Sequence, residues 1–309
     1  MMLRRIKWAY AFYNLFKYKK LRHNLSLYKK WGLRKWYFSP VSSKDFEQLD
    51  VSTDRKLSST SISNSNLFAS LDSQSQQSLL KYPENGFAIL NSFISKEQVA
   101  RINDTIDQLL SSDEIQFRYG NKLMFAIHHS ELLRSIARDK NLLELLDILI
   151  DGNATLFQSI NFIKGSEQKS HSDSVHMTTF PLGGLLGVWI ALEDIDAANG
   201  GLHYYPGSHR LPYYLNSDYD NEGNWLMLGK HDYSAYESMI EEKIKLHGIQ
   251  KQVFNAKAGD VLIWHANLLH GGEPHTDQSR TRKSMVFHYF DVDSICYHEI
   301  TQRPALMTY

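Results

Sequence analysis

Gly259-Asp260-Val261-Leu262-Ile263-Trp264-His265-Ala266-Asn267-Leu268-Leu269-His270-Gly271-Gly272 is the stretch on which the reading of this chain turns. An apolar run of strand length gives way to a histidine set against a glycine pair. Behind it stand Arg280, Arg282 and Lys283, then a second strand-like run from Ser284 to Phe290. An imidazole is therefore followed, one strand later, by fixed cations. A guanidinium in that place can grip a carboxylate through two parallel hydrogen bonds.

Upstream, His171-Ser172-Asp173 supplies what His270 lacks. Strand side chains repeat every second residue, so at a strand end the imidazole and the carboxylate point the same way. His-x-Asp alone recurs by chance; its force here comes from the histidine downstream. Two imidazoles and one carboxylate on one face of a metal leave the opposite face open, as in non-haem Fe(II) oxygenases. Two other histidines compete. His176 follows Asp173 by three residues and reads as facing substrate or solvent. His265 precedes His270 by an odd spacing, so on a strand the two face opposite ways.

Between these motifs lie Trp189, Asn199-Gly200-Gly201-Leu202 and Pro206-Gly207-Ser208-His209. With His171-Ser172-Asp173, Gly259-Asp260, His270-Gly271 and Arg282-Lys283, this ordered set resembles the phytanoyl-CoA dioxygenase family of Fe(II)/2-oxoglutarate oxygenases, over roughly Tyr82 to Asp291. The resemblance implies His171, Asp173 and His270 as both metal ligands and catalytic centre. It implies Arg282 as the anchor for the far carboxylate of 2-oxoglutarate, because the family places an Arg-Lys or Arg-Ala dipeptide at the strand start. Arg280, two residues earlier and on the same strand face, is the competitor. Trp189 and Gln158 stand where the family lines the cosubstrate pocket, although both also suit a strand core. Implied cofactors are Fe(II), 2-oxoglutarate and O2, and the implied reaction is hydroxylation of a small molecule with release of succinate and CO2. Related halogenases carry a small residue in place of the carboxylate ligand, so Asp173 favours an oxygen-type outcome. His275 replaces an asparagine common in the family, at a position expected to meet substrate or cosubstrate.

The implied fold is α+β and mainly β, a double-stranded β-helix (jelly-roll, cupin-like) with helices packed on one side. Residue patterns agree with it. Phe87 to Leu90, Thr155 to Lys164, Leu185 to Leu192, Leu202 to Tyr205, Val261 to Trp264 and Ser284 to Phe290 read as short strands split by Gly and Pro turns. Ser95 and Gln98 form a capping box before a helix carrying Val99, Ile102, Ile106, Leu109 and Leu110. Asp139 caps a second helix from Lys140 to Ile150, with Gly152 as its stop. Pro83-Glu84-Asn85-Gly86 reads as a turn.

At 309 residues the chain has room for a sizeable core. Net charge is +0, which gives no global argument for nucleic acid, and none is expected as a partner. One cysteine, Cys296, excludes an internal disulfide framework and suits a reducing, cytoplasmic setting. Charge is nevertheless uneven. No acidic residue precedes Asp45, and Lys and Arg are interleaved there with Trp8, Phe12, Phe16, Tyr28, Trp31 and Trp36. Two readings of residues 1–38 stand at the sequence level: a basic, aromatic helix lying on an anionic membrane surface, or aromatics packed on the domain with solvated cations. The division expected is a basic aromatic extension over 1–51, a Ser-rich linker over 52–81, and an oxygenase domain over 82–309. An insertion over 211–252 reads as a lid or binding element, with a helix near 235–246 and Tyr213, Tyr214, Trp225 and Tyr233 as pocket candidates.

Alternatives from other classes fit less well. A cupin-type metal enzyme would match Gly165, six before His171, but Asp173 stands where its second histidine belongs and its glutamate is missing. A metal-dependent hydrolase would want a general base beside the metal water, and none stands out. A non-catalytic binding module would have little need of His171, Asp173, His270 and Arg282 together.

Overall fold

The computed structural model describes residues 5–49 and 59–307. Three short helices open it: α1 (Lys7–Leu15), α2 (Tyr18–Leu21) and α3 (His23–Lys30). Next come α4 (Ser59–Ser63), α5 (Ser73–Leu80), α6 (Tyr82–Asn85), strand β1 (Phe87–Leu90) and the long α7 (Lys96–Ser111). A hairpin of β2 (Phe117–Arg118) and β3 (Lys122–Met124) leads through α8 (Glu131–Ala137) and α9 (Lys140–Ile150) to β4 (Ala154–Phe162). Strands then dominate: β5 (Thr178–Phe180), β6 (Leu185–Ala191) and β7 (Leu202–Tyr204). After α10 (Tyr233–His247) follow β8 (Gln252–Phe254), β9 (Val261–His265), β10 (His270–Gly272), β11 (Ser284–Asp291), β12 (Ile295–His298) and β13 (Arg303–Pro304).

Seven strands form one antiparallel sheet in the order β1-β9-β6-β11-β4-β3-β2. Its two faces separate by the strand period of two. Leu186, Val188 and Ile190 of β6, and Met285, Phe287 and Tyr289 of β11, pack under α7, α8 and α9. Trp189 and Val286, on the other face, meet Leu202, Tyr204 and Phe254 of a three-stranded sheet, β10-β7-β8. Helices thus cover one face of the large sheet, and the smaller sheet meets the other. Each fully buried leucine or isoleucine in these layers contributes about 1.5–3 kcal/mol.

Local chemistry sets the helix ends. Ser95 Oγ accepts from Gln98 N and Gln98 Oε1 accepts from Ser95 N, which starts α7. Asp139 accepts from the amides of Asn141 and Leu142 at the start of α9. The left-handed residue that ends α9 is Asp151 (φ 50°), not the expected Gly152; a short carboxylate tolerates that conformation. Glycine is required at 259, where φ is +95° and a Cβ would stand 2.1 Å from the carbonyl oxygen of Ile94.

Three expectations change. Residues 59–81 are not linker: α4, α5 and the turn between them pack on the main core through Ile62, Leu79 and Leu67, all buried. Two serines of α5 are partners of the outermost strand and the residue after it, with Ile89 N donating to Ser78 Oγ and Asn91 N to Ser75 Oγ. Residues 50–58, which include the start of the expected linker, lie outside the described residues, as does Arg4 of the basic segment. The Pro83 turn is one turn of helix, α6, closed by Gly86. The N-terminal segment is packed on the domain in part only. Leu27, Tyr28, Val41 and Phe46 are buried with Phe180, Ile295 and Tyr297, whereas Trp8, Phe12 and Phe16 are exposed.

Candidate active site

His171 and His270 are joined through their backbones. Each amide N donates to the other's carbonyl at 2.9 Å, an isolated antiparallel bridge between the end of β10 and the loop after β4. The bridge brings the rings to 4.5 Å between centroids. Both Nδ1 atoms face backbone carbonyls, His171 on Lys169 O at 2.8 Å and His270 on Leu268 O at 3.0 Å. A carbonyl only accepts, so each Nδ1 carries the proton and each Nε2 presents a lone pair to the centre.

Asp173 Oδ1 lies 3.9 Å from both Nε2 atoms. Its other oxygen is held from behind: Trp264 Nε1 donates to Oδ2 at 2.7 Å, and His288 Nε2 lies 3.4 Å from it. Gly187 makes room for this indole, since a Cβ there would stand 2.2 Å from the Trp264 ring. All three metal-type residues are buried, and one donor atom from each falls within 4.8 Å of the others. Burial pushes the Asp173 carboxyl up. The His270 imidazole, the hydrogen bond from His288 and the His171 imidazole outweigh it and hold the group well below the usual carboxylate range. Burial, reinforced by the neighbouring His270, holds His171 well below its ordinary value. The site therefore presents a carboxylate and a neutral imidazole, the forms that bind metal. Two imidazole nitrogens and one carboxylate oxygen, with tautomers fixed by the backbone, are a donor set that fits Fe(II).

These residues form part of the wall of a cavity of about 590 Å³. Arg282 lies in the same wall, 3% exposed. Its Nε donates to Gly200 O at 3.1 Å and its Nη1 to Ser284 Oγ at 3.1 Å, so its hydrogen-bond partners among the described residues are both uncharged. The guanidinium stacks on Trp189, 5.3 Å from the ring, and burial lowers its pKa to about 10, opposed by Glu193. Trp189 Nε1 is buried without a hydrogen-bond partner among the described residues. A buried cation with no carboxylate hydrogen-bonded to it among the described residues, beside an unpaired indole N–H, fits the carboxylate end of an anionic ligand.

Residues 82–282 match the sequence model of the phytanoyl-CoA dioxygenase (PhyH) family. The chain belongs to that family. Phytanoyl-CoA dioxygenase domain-containing protein 1 of Mus musculus is 37% identical over 94 residues, covering 29% of this chain and 32% of that protein. The Danio rerio protein of the same name is 28% identical over 182 residues, covering 56% of this chain and 58% of that protein. The matched stretches thus span less than two thirds of these relatives' length. Among solved structures, the non-heme alpha ketoglutarate dependent carbocyclase SnoK from nogalamycin biosynthesis superposes with a TM-score of 0.61 at 17% identity, covering 78% of this chain and 95% of that one. At that identity the likeness is one of fold.

For this phytanoyl-CoA dioxygenase family member, the cavity gathers all six residues singled out in the sequence: His171, Asp173, His270, Arg282, Trp189 and Gln158. Gln158 Nε2 lies 3.2 Å from His288 Nδ1. Arg280 stands elsewhere. It precedes β11 and pairs at the surface with Asp196 at 2.9 Å, so it shares no strand face with Arg282. His176 lines the cavity beside His298 and Tyr233, whereas His265 lies beside His209, away from the ligand set. His275 is not among the lining residues; its amide is directed at Glu167. Of the insertion's aromatics Tyr233 lines the cavity and Trp225 is exposed. Tyr236 accepts from Ser172 N at 3.3 Å, so α10 rests on the metal motif itself.

Sequence reasoning missed Trp264, His288, Lys122, Gln168 and His298, all in the cavity wall. His288 carried a signal: a histidine in an apolar strand, two residues after Val286 and therefore on the pocket face. Lys122 carried one only through pairing, since its strand partner is Phe162.

Proposed function

We propose that the chain is an Fe(II)- and 2-oxoglutarate-dependent oxygenase that hydroxylates a small-molecule or lipid-like substrate, with release of succinate and CO2. One observation carries the reading. Three converging metal-type donors share a cavity with a buried arginine whose hydrogen-bond partners among the described residues are uncharged. His171, Asp173 and His270 are the ligands in this reading, and Arg282 takes the far carboxylate of 2-oxoglutarate, with Trp189 and Gln158 along the cosubstrate. The two facing sheets form a double-stranded β-helix. The catalytic unit is 82–309 with its insertion at 211–252, joined by α4 and α5 of residues 59–81, which share its core, and preceded by a basic extension; its setting is the cytoplasm.

Iron with 2-oxoglutarate supplies O2 activation coupled to oxidative decarboxylation of the cosubstrate. The protein's share is positional. Trp264 and His288 fix one oxygen of Asp173 and so aim the other. Ser284 and Gly200 fix the plane of the Arg282 guanidinium. Met124, Ile160, Phe162, Leu202 and Val286 give the cavity dry walls. His176, Tyr233 and His298 present polar edges to a substrate.

Anaerobic Fe(II) titration with and without 2-oxoglutarate tests the reading. The expected result is a weak visible charge-transfer band that needs both components and disappears in Asp173→Ala and Arg282→Ala. Iron binding without that band would sink the oxygenase reading in favour of a metal enzyme of another type. No iron binding would leave a ligand-binding module.

A further inference from the structure

The first helix turns its apolar face outward. In α1 the buried residues are Ala11 and Asn14, and Tyr10 lies inward beneath Arg303, whose guanidinium sits 3.2 Å from the ring centroid. At helical spacing on the opposite side stand Trp8, Phe12, Leu15 and Phe16, with Tyr13 beside them. Phe12 is 66% exposed and Phe16 is 72% exposed, and the two rings meet edge to face, 5.4 Å between centroids. An ordinary surface helix buries its apolar stripe and exposes its polar one. This helix reverses that arrangement.

Cations frame the patch. Lys17 Nζ lies over the Tyr13 ring at 4.9 Å, and Lys19, Lys20 and Arg22 follow on the exposed side of α2. Among the described residues no ion pair forms at Lys19, Lys20 or Arg22, and no acidic residue precedes Asp45 in the sequence. Exposed Trp, Phe and Tyr among Lys and Arg, with no acid, complement the headgroup layer of an anionic membrane: rings enter the acyl boundary and ammonium groups meet lipid phosphates. No helix among the described residues is long and apolar enough to cross a membrane, so the segment would lie on the surface rather than span it.

The cavity opens beside this patch. Tyr119, at the tip of the β2–β3 hairpin, lines the cavity and is 85% exposed. His298, in the same cavity wall, is the strand partner of Arg303, the residue stacked on Tyr10 of α1. Phe117 on the same hairpin is exposed too. We infer that α1, α2 and the β2–β3 hairpin form a docking surface for an anionic lipid bilayer, with the mouth of the cavity facing the membrane. Substrate entry from the lipid phase rests on the oxygenase reading; docking itself does not.

The full chain, without added metal, is sedimented with vesicles of phosphatidylcholine with and without phosphatidylglycerol. Binding is expected only with phosphatidylglycerol, and it weakens as salt is raised. Phe12→Ser/Phe16→Ser and Lys19→Glu/Lys20→Glu each weaken it by about tenfold or more, with unchanged circular dichroism, because neither pair supports the core. The mouth is tested separately. Cys296 is buried, so a polarity-sensitive dye on Tyr119→Cys reports that position, and its emission shifts to the blue on vesicles. No sedimentation with either lipid, or full binding by both double variants, overturns docking. A dimer that Phe12→Ser/Phe16→Ser dissolves, with no vesicle binding, makes the patch a self-interface instead. Vesicle binding with an unshifted dye overturns the orientation of the mouth. All these readouts are independent of turnover, so failure of the oxygenase reading leaves them intact.

Discussion

The indole N–H of Trp264 is a hydrogen-bond donor to the outer oxygen of Asp173, 2.7 Å away, in a pocket that only a glycine at 187 leaves open. The inner oxygen of the same carboxylate faces His171 and His270. One bond thus fixes which oxygen is left for a metal.

Trp264→Phe keeps most of the ring and deletes this donor. Metal affinity should fall about 10–100-fold, read by Fe(II) or Zn(II) titration, with the thermal transition little changed. Gly187→Ala should give the same loss by displacing the ring, together with lower stability. Unchanged affinity in both variants would remove Trp264 from the metal site.

Arg282→Gln replaces a cation by a neutral amide of similar reach. Loss of charge-assisted hydrogen bonds of about 1.5–3 kcal/mol should weaken 2-oxoglutarate binding roughly 10- to 150-fold and leave metal affinity near that of the wild type. Titrating 2-oxoglutarate into the metal-loaded protein measures both. A change confined to metal affinity would contradict the assignment.

How much of this was legible in the residues depends on what each position relies on. Apolar runs of strand length set off by Gly and Pro turns revealed β6 and β11, because both faces of each are buried, one under helices and the other against the pocket and the smaller sheet. The Ser95–Gln98 box gave the start of α7 because both bonds are local. The Ser-rich stretch misled because a few of its residues are engaged by tertiary packing: Ser75 and Ser78 accept the amides of Asn91 and Ile89, and Ile62, Leu67 and Leu79 are buried in the core. In the site, ligand spacing was visible, whereas Trp264 looked like one more apolar residue of β9. Its role depends on strand register against Gly187.

Glu299 ties three distant segments together. Ser43 donates to it through N (3.0 Å) and Oγ (2.7 Å), and Asn216 through its amide N (3.4 Å). Burial pushes its carboxyl up, opposed by these hydrogen bonds. Glu299→Ala leaves buried donors unpaired, so a loss of about 2–3 kcal/mol is expected in urea unfolding. Hydrogen exchange should accelerate around residues 42–46. A variant as stable as the wild type would show that Ser43 and Asn216 find water instead.

His298 and His23 set an acid limit. Burial lowers each from 6.5 to about 4. Between those values the unfolded chain binds more protons than the folded one, so stability rises with pH across that window. It is complete above about pH 6.5 and is lost as the pH falls towards 4. Urea midpoints measured from pH 7 to 4.5 should decline, and His298→Asn should flatten the decline. A midpoint independent of pH in that range would show that both imidazoles take up protons in the fold as they do in the unfolded chain.

The reciprocal backbone bonds between His171 and His270 mean that the ligand set is assembled before any ion arrives. A site that need not fold around its ion does not select by refolding. Divalent ions then compete by intrinsic affinity, and nickel, copper and zinc outrank ferrous iron for such nitrogen and oxygen donors. The metal found in purified protein would record the medium in which the cells grew, and reconstitution under anaerobic iron becomes the condition for assigning any activity.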